Sequence, residues 1–342
     1  MKALPLLISH LADRMKEVLS IIVPVYKEEK NIEPFLSRTV NMLDSLGMPY
    51  EIIFCLDPSP DKTYEIITKN IDKNNCIKLI QFSRRFGQPA ATMAGILHCK
   101  GDICVVIDVD LQDPPELFPQ MVEKWRDGYN VVYAKRRSRE GETLVKKAVA
   151  YTGYKIINKF ADIKIPTNTG DFRLIDRRII EELRKLNETH GFLRGLVAFV
   201  GFKQTYVEYD RDKRFFGKGN YNRFWGSLKI GLNGLICYSA KPLQIMSTVG
   251  FFIAGFGFLM AIYYFLQRIL FPDVITPGLS STIIFITVFA GFQLISIGIL
   301  GEYVARIYDE VKGRPMYIIS EYIDKESMAC EKKDIMLSDE KS

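Results

Sequence analysis

The sequence predicts a doubly wound α/β domain that carries an apolar helical hairpin in its C-terminal third. Between residues 20 and 134, short runs that are apolar throughout alternate with amphipathic stretches, the pattern of a mostly parallel sheet covered by helices on both faces. Two uncharged segments, Leu243–Leu266 and Thr282–Gly301, are each long enough as a helix to cross a hydrocarbon core of about 30 Å. No G-x-G-x-x-G or P-loop glycine pattern occurs, which argues against a dehydrogenase or an ATPase.

The elements follow in order. Ser20–Val25 is β-branched and apolar, a strand, and a helical pattern runs from Glu29 to Gly47. Glu51–Leu56 is the second strand, with a helix after it opened by Asp61. Ile77–Phe82 is the third, then a helix over Pro89–Cys99 that Gly101 stops, and Cys104–Ile107 is the fourth. The next helix is expected to take Asp113 as N-cap, Pro114 at its first position and Glu116 at its third, and to stop at Gly128. Asn130–Ala134 closes the series. Ligands of such a sheet bind beyond the carboxyl ends of its strands.

Residues 141 to 221 are less periodic and rich in Arg, Lys and Tyr. Residues 222 to 242 read as an amphipathic helix, either lying in a membrane interface with Trp225 and Tyr238 as anchors or on an ordinary protein surface. Lys241 precedes the first apolar span, and Arg306, Lys312 and Arg314 follow the second; the connecting loop holds only Arg268 and Asp273. By the positive-inside rule both ends are cytoplasmic. The tail from Lys325 is charged and expected to be disordered. The expected organisation is an N-terminal extension (1–19), a catalytic domain (20–221), the interfacial helix (222–242), two transmembrane helices (243–303) and a cytoplasmic tail (304–342).

Bulk composition narrows the partners. The chain has 342 residues and a formal net charge of +6, a diffuse excess that suits an anionic membrane or phosphorylated ligands better than nucleic acid. Its six cysteines lack metal spacing and read as reduced packing thiols, and three scattered histidines make a zinc site unexpected. Apolar residues 4 to 8 fall short of a signal-peptide core, so the catalytic part is expected to stay in the cytoplasm.

The sharpest chemical signal is Asp108-Val109-Asp110-Leu111-Gln112-Asp113-Pro114-Pro115-Glu116, directly after a buried strand. Carboxylates two residues apart on an extended backbone project to one side. Asp108 and Asp110 can share one hard divalent cation, with Gln112 adding an oxygen, and an all-oxygen set suits Mg²⁺ or Mn²⁺. A nucleotide-sugar diphosphate needs such an ion as its leaving group gathers charge.

At these residues the chain resembles family 2 glycosyltransferases of the GT-A fold. Pro24-Val25-Tyr26-Lys27-Glu28-Glu29 is similar to the family's P-x-Y-N-E-E entry. Asp108 to Glu116 matches the D-x-D-L-Q-D-P-P-E of the branch that includes dolichol-phosphate mannose synthase and bacterial polyprenyl-phosphate glycosyltransferases. Phe82-Ser83-Arg84-Arg85-Phe86-Gly87 resembles that branch's S-R-N-F-G, and Thr169-Gly170-Asp171-Phe172-Arg173 its T-G/S-D/G-F-R. Leu300-Gly301-Glu302-Tyr303 and Gly313-Arg314-Pro315 resemble the exit from its last membrane helix. The likeness covers residues 20 to 320, and the bacterial two-span branch fits best.

The resemblance implies that Pro24, Tyr26, Glu28 and Asp57, with Arg84 of the S-R motif, contact the nucleotide, and that Asp108, Asp110 and Gln112 hold the metal. It puts the acceptor phosphate near Arg136 and near Lys146 or Lys147, and Arg211, with Arg214 and Lys218, adds charge beside the interfacial helix. Asp171 is the candidate general base, or else orients donor or acceptor, because a phosphate monoester is largely ionised already. Leu56 stands where relatives carry the first of two aspartates, Lys27 replaces an asparagine, and residues 217 to 221 depart from G-x-S-K-Y.

The implied activity is inverting transfer of a hexose from a nucleotide sugar, UDP-glucose first, to polyprenyl phosphate at the cytoplasmic face of the inner membrane, by a multi-pass and homo-oligomeric protein. A polysaccharide-extending synthase is the enzymatic alternative, although its Q-x-x-R-W motif is missing; residues 191 to 195, around Arg194, are the nearest analogue. A silent nucleotide-sugar-binding subunit is the other.

Overall fold

The computed structural model describes residues 17–137, 169–186, 188, 193–212, 239–270 and 278–327. The expected interfacial helix with Trp225 and Tyr238, the candidates Lys146, Lys147, Arg214 and Lys218, and the tail beyond residue 327 lie outside them. The chain divides into two compact units, one of residues 1–148, 165–221 and 315–342 and the other of 149–164 and 222–314.

The first unit is built on one eight-stranded sheet. Its elements are β1 (Leu19–Val25), α1 (Ile32–Leu46), β2 (Tyr50–Leu56), α2 (Thr63–Lys73), β3 (Ile77–Phe82), α3 (Gln88–His98), β4 (Ile103–Val106), a short 3₁₀ turn (Pro115–Leu117), α4 (Phe118–Arg126), β5 (Val131–Arg136), β6 (Thr169–Asp176), α5 (Arg177–Lys185), α6 (Leu193–Val200), β7 (Gln204–Tyr209) and, far along the chain, β8 (Ile319–Ile323). Strand order is β7-β5-β6-β4-β1-β2-β3-β8. β1 to β4 are mutually parallel, whereas β6 runs antiparallel to both β4 and β5, and β8 antiparallel to β3. The sheet is thus mixed and mostly parallel.

Apolar spacing explains the layers. On α1, Ile32, Phe35, Leu36 and Leu43 recur at helical intervals and are buried, and the helix ends where Gly47 takes a left-handed φ of 65° and returns its N–H to Asp44 O. α1, α2 and α4 cover one face of the sheet; α3, α5 and α6 cover the other. Each fully buried Ile, Leu or Phe contributes about 1.5–3 kcal/mol, which is why strands apolar throughout need helices on both sides. α3 lies so close to β1 and β2 that a Cβ on Gly95 would overlap Ile22 Cγ2 and stand 2.9 Å from Cys55 Sγ.

A polar knot at the amino ends of the strands registers this sheet. Glu51, 5% exposed, accepts from Ser20 Oγ (2.6 Å), Lys78 Nζ (2.5 Å) and the Lys100 N–H (2.6 Å). Burial alone would raise its pKa, but Lys78, Ser20 and the Lys100 amide hold it below its ordinary 4.5. A depressed carboxylate stabilises the fold fully above its unfolded value and loses that contribution as pH falls through the folded one. Glu51→Ala is therefore expected to cost about 2–3 kcal/mol near neutrality. In a thermal melt in detergent, the gap between wild type and variant should narrow below pH 4.5; a gap independent of pH would refute the ionic account.

Two departures from the sequence expectations matter below. Asp113 does not cap a helix: the chain first makes the 3₁₀ turn, and α4 starts only at Phe118. Nor is everything after residue 303 a tail. Residues 319–323 are β-branched at both ends, and they add to the free edge of β3, where backbone groups would otherwise go unpaired.

The second unit contains α7 (Lys241–Leu270) and α8 (Leu279–Val311). Each includes a 27-residue span, Lys241–Gln267 and Phe285–Val311, with mean hydropathy 2.1 and 1.7, long and apolar enough to cross a membrane. Burial in a soluble core fails as an explanation, because Phe251 (76%), Phe252 (69%) and Leu294 (70%) stand exposed. α8 continues about three turns past the expected end of the second span.

Candidate active site

After β3 the chain changes the side on which it adds strands: β2 and β3 lie on one side of β1, and β4 returns to the other. The crevice at the carboxyl ends of β1 and β4 is where such sheets bind ligands. The loop after β1 and the acidic segment after β4 form its two rims.

Residues 108–112 leave the strand in a turn rather than continuing extended, with Leu111 at a left-handed φ of 61°. Asp110 Oδ1 accepts the Gln112 N–H (3.2 Å), and Gln88 at the start of α3 donates to Asp108 Oδ1 (2.9 Å). Gln112 spends its amide N–H on Asp212 O (3.3 Å) and receives the Asp212 N–H on its own backbone oxygen (3.1 Å), so its side-chain oxygen is the ligand atom it can offer. Burial, with Asp113, Asp110 and Asp171 nearby, pushes the Asp108 carboxyl up to about 8, and Arg211 offsets this only in part.

This is the test of a metal at the predicted set, and the residues fit. Carboxylate oxygens whose mutual repulsion the protein leaves unbalanced suit a hard divalent cation. Among the described residues, no cluster of three His, Cys, Asp or Glu is arranged to hold a metal by itself. Two carboxylates and an amide leave coordination positions for a ligand's own oxygens.

Arginines ring the acids. Asp113, 2% exposed, receives the Tyr209 hydroxyl and faces Arg136 (4.0 Å) and Arg211 (3.6 Å). Arg136 Nε donates to the same Tyr209 oxygen (3.2 Å). Asp171, on β6, accepts from Arg194 Nε (2.9 Å), with Arg173 3.7 Å away. Burial opposes ionisation of Asp171, yet Arg194 and Arg173 keep it below its ordinary 3.8, which makes it a weak proton acceptor. Arg173 is wholly buried, donates to Gly170 O (2.8 Å) and sits over the Tyr133 ring at 5.0 Å, fixing the start of β6 that carries Asp171.

The opposite rim gathers the remaining candidates. The Arg85 guanidinium stacks on the Tyr26 ring (4.0 Å) and that of Arg84 on Phe86 (4.0 Å). Asp57 accepts the N–H groups of Phe86 and Gly87 (both 2.9 Å), so its two oxygens clamp the loop at residues 83–87. Glu28 accepts from Asn31 (2.5 Å), and its N–H donates to Thr63 Oγ1 (3.1 Å). Pro24 is buried inside β1, level with Cys55, one residue before the strand gives way to the loop. Lys27 adopts φ 58°, and its N–H donates to Ser59 Oγ (3.0 Å), so the segment that departs from the family pattern knits the two loops together.

The structure thus joins Asp108, Asp110, Gln112, Asp171, Arg136 and Arg211 on one rim and Tyr26, Glu28, Asp57 and Arg84 on the other. Sequence reasoning missed Arg85, Tyr209 and the true place of Asp113. Arg194 was visible only as part of a motif analogue.

Comparison with known proteins identifies the family. Residues 20–184 match the model for Glycosyl transferase family 2. An uncharacterized glycosyltransferase of Synechocystis is 42% identical over 92% of this chain and 98% of its own length. The bactoprenol glucosyl transferase of Shigella phage SfII is 38% identical over 88% of this chain and 97% of its own. A more distant likeness is to glucosyl-3-phosphoglycerate synthase from Mycobacterium tuberculosis, with Mn²⁺, uridine diphosphate and glucosyl-3-phosphoglycerate (17% identity, TM-score 0.47, 66% of this chain and 81% of that one). With its acidic turn at the switch point and relatives matched almost end to end, the chain belongs to glycosyl transferase family 2 and is a glycosyltransferase.

Proposed function

We propose that this enzyme transfers glucose from UDP-glucose to undecaprenyl phosphate at the cytoplasmic face of the inner membrane. The observation that carries it is the meeting of the acidic turn at 108–112 with Arg136 and Arg211 around Asp113. The acidic turn suits a diphosphate with its cation, and the arginines beside it on the same rim suit a second phosphate. The named activity of the phage relatives supports the sugar and the lipid.

The reaction is a single displacement with inversion. A phosphate oxygen of the lipid attacks the anomeric carbon, the bond from that carbon to the donor diphosphate breaks, and nucleoside diphosphate departs with the electron pair. No proton need move when the acceptor is a dianion. Asp108, Asp110 and Gln112 would hold a divalent cation, which when bound would supply charge neutralisation for the leaving group. Arg136 and Arg211 hold the acceptor phosphate, and Asp171, kept ionised by Arg194, orients a sugar hydroxyl or the acceptor rather than acting as a base. On the other rim, Tyr26, Glu28, Arg84 and Arg85 face the nucleotide, and Asp57 holds the loop at residues 83–87.

Chain connectivity supports the membrane arrangement. Strands before α7 and after α8 belong to one sheet, so a chain that crosses a bilayer in α7 must cross back in α8. The cations at both outer ends favour the cytoplasm for that shared side.

A donor panel with radiolabelled sugars, undecaprenyl phosphate and Mg²⁺ or Mn²⁺ tests the assignment. Label should enter organic-extractable lipid from UDP-glucose, and EDTA should abolish transfer until excess cation restores it. Polymer as product would favour a synthase, and no product from any donor a silent subunit; transfer indifferent to chelation would remove the metal from the account.

A further inference from the structure

β8 ends the sheet beside the loop at residues 83–87, and the inference drawn from that rests on the donor-site reading above. β8 pairs Leu79 with Ile323, Ile80 with Tyr322 and Gln81 with Glu321, then the register shifts before Phe82 meets Ile319. Just beyond the shift, the Ser83 N–H donates to Ile318 O (3.0 Å). The residue before, Tyr317, packs edge-on against Phe82 (ring centroids 5.9 Å), Phe82 packs against Phe86 (6.1 Å), and Phe86 carries the Arg84 guanidinium. A continuous line of ring contacts therefore runs from the C-terminal segment to a donor-side cation. Asp57 pins the loop from one flank, and the 317–318 segment pins it from the other.

We propose that Tyr317 is a positioning residue for nucleotide binding, acting through Phe82 and Phe86 to set the loop that presents Arg84 and Arg85. Tyr317 itself touches no ligand. A loop held at both ends meets the nucleotide already ordered, whereas a loop held only by Asp57 must be ordered on binding, and the cost appears as weaker affinity. Only residues 312–316 separate Tyr317 from the end of α8, so the segment leaving the apolar hairpin is the one that completes the donor site.

Full-length enzyme in nanodiscs, titrated with UDP in the presence of Mg²⁺, tests this by calorimetry. Tyr317→Ala should raise the Kd for UDP by roughly five- to tenfold, the effect of losing the ring contact with Phe82; the second ring contact, with His98, does not lead to the loop. The KM for undecaprenyl phosphate should stay within about twofold, because that site is untouched. Tyr317→Phe should restore UDP binding, which a role through the hydroxyl would not allow. Hydrogen exchange at residues 83–87 should quicken in the alanine variant alone. Tyr317→Leu, which keeps most of the packed volume, serves if the alanine variant melts, with a smaller rise in the same direction. Arg85→Ala separates the two ideas. If it weakens UDP while Tyr317→Ala and Tyr317→Leu bind normally, the positioning role is overturned and the donor site stands; if it leaves UDP binding unchanged, the donor-loop reading fails and takes the positioning role with it.

Discussion

Asp110→Asn is expected to lower glucose transfer on the order of a thousandfold while leaving the protein folded. The reasoning starts from geometry. Asp110 is 8% exposed, and its Oδ1 accepts the Gln112 N–H. Asparagine keeps an oxygen at that place, so the turn with its left-handed Leu111 survives. What disappears is one negative charge beside Asp108. In the protein without cation, Asp110 is among the groups that push the Asp108 carboxyl up, so its neutralisation relieves the fold rather than straining it. The melting temperature should hold or rise slightly. With a cation the sign reverses, because one of two anionic ligands is gone and the leaving diphosphate loses its partner. Transfer to organic-extractable lipid, read across a Mg²⁺ or Mn²⁺ titration, separates these effects. Wild-type turnover with an undiminished metal requirement would take Asp110 out of the site.

How far the sequence revealed this arrangement depended on the kind of constraint. β1 to β5 were legible because each is a short apolar run between amphipathic helices, and Ile77–Phe82 was placed to the residue. β6 and β7 escaped, since Arg173 interrupts the first and Gln204, Thr205 and Glu208 leave the second without an apolar run. β8 escaped for a different reason: its partner β3 lies more than two hundred residues earlier, and nothing local distinguishes an edge strand from a tail. Within the site, the acidic turn was legible from its motif, but the role of Asp113 was not. The Asp-Pro-Pro-Glu run has the composition of a helix start, and tertiary partners, Tyr209 with Arg136 and Arg211, drew the carboxylate away from the backbone. Arg85 is not legible from the motif, because its stacking on Tyr26 depends on two loops meeting, which no single window contains.

Arg136→Ala is expected to reduce kcat/KM for undecaprenyl phosphate on the order of a hundredfold while donor binding changes little. Four carboxylates, Asp108, Asp110, Asp113 and Asp171, are electrostatically linked with four arginines, Arg136, Arg173, Arg194 and Arg211. Arg173 and Arg194 are committed to Asp171, which leaves Arg136 and Arg211 to share Asp113. Two guanidiniums around one buried carboxylate carry an excess positive charge, which a phosphate dianion entering beside them would meet. Arg136 is also held in place by the Tyr209 hydroxyl, and Gly170 leaves room for it, since a Cβ there would stand 3.0 Å from its guanidinium. Its removal leaves Asp113 with Tyr209 and Arg211, so the carboxylate keeps partners and the fold should persist. Arg136→Lys should recover only part of the loss, since an ammonium cannot meet Tyr209 and phosphate in the planar geometry of a guanidinium. Arg136→Ala combined with Arg211→Ala should lose less than the product of the single effects, the sign of two groups gripping one ligand. An acceptor KM unchanged in Arg136→Ala, or a defect confined to the donor, would move the lipid phosphate away from this pair.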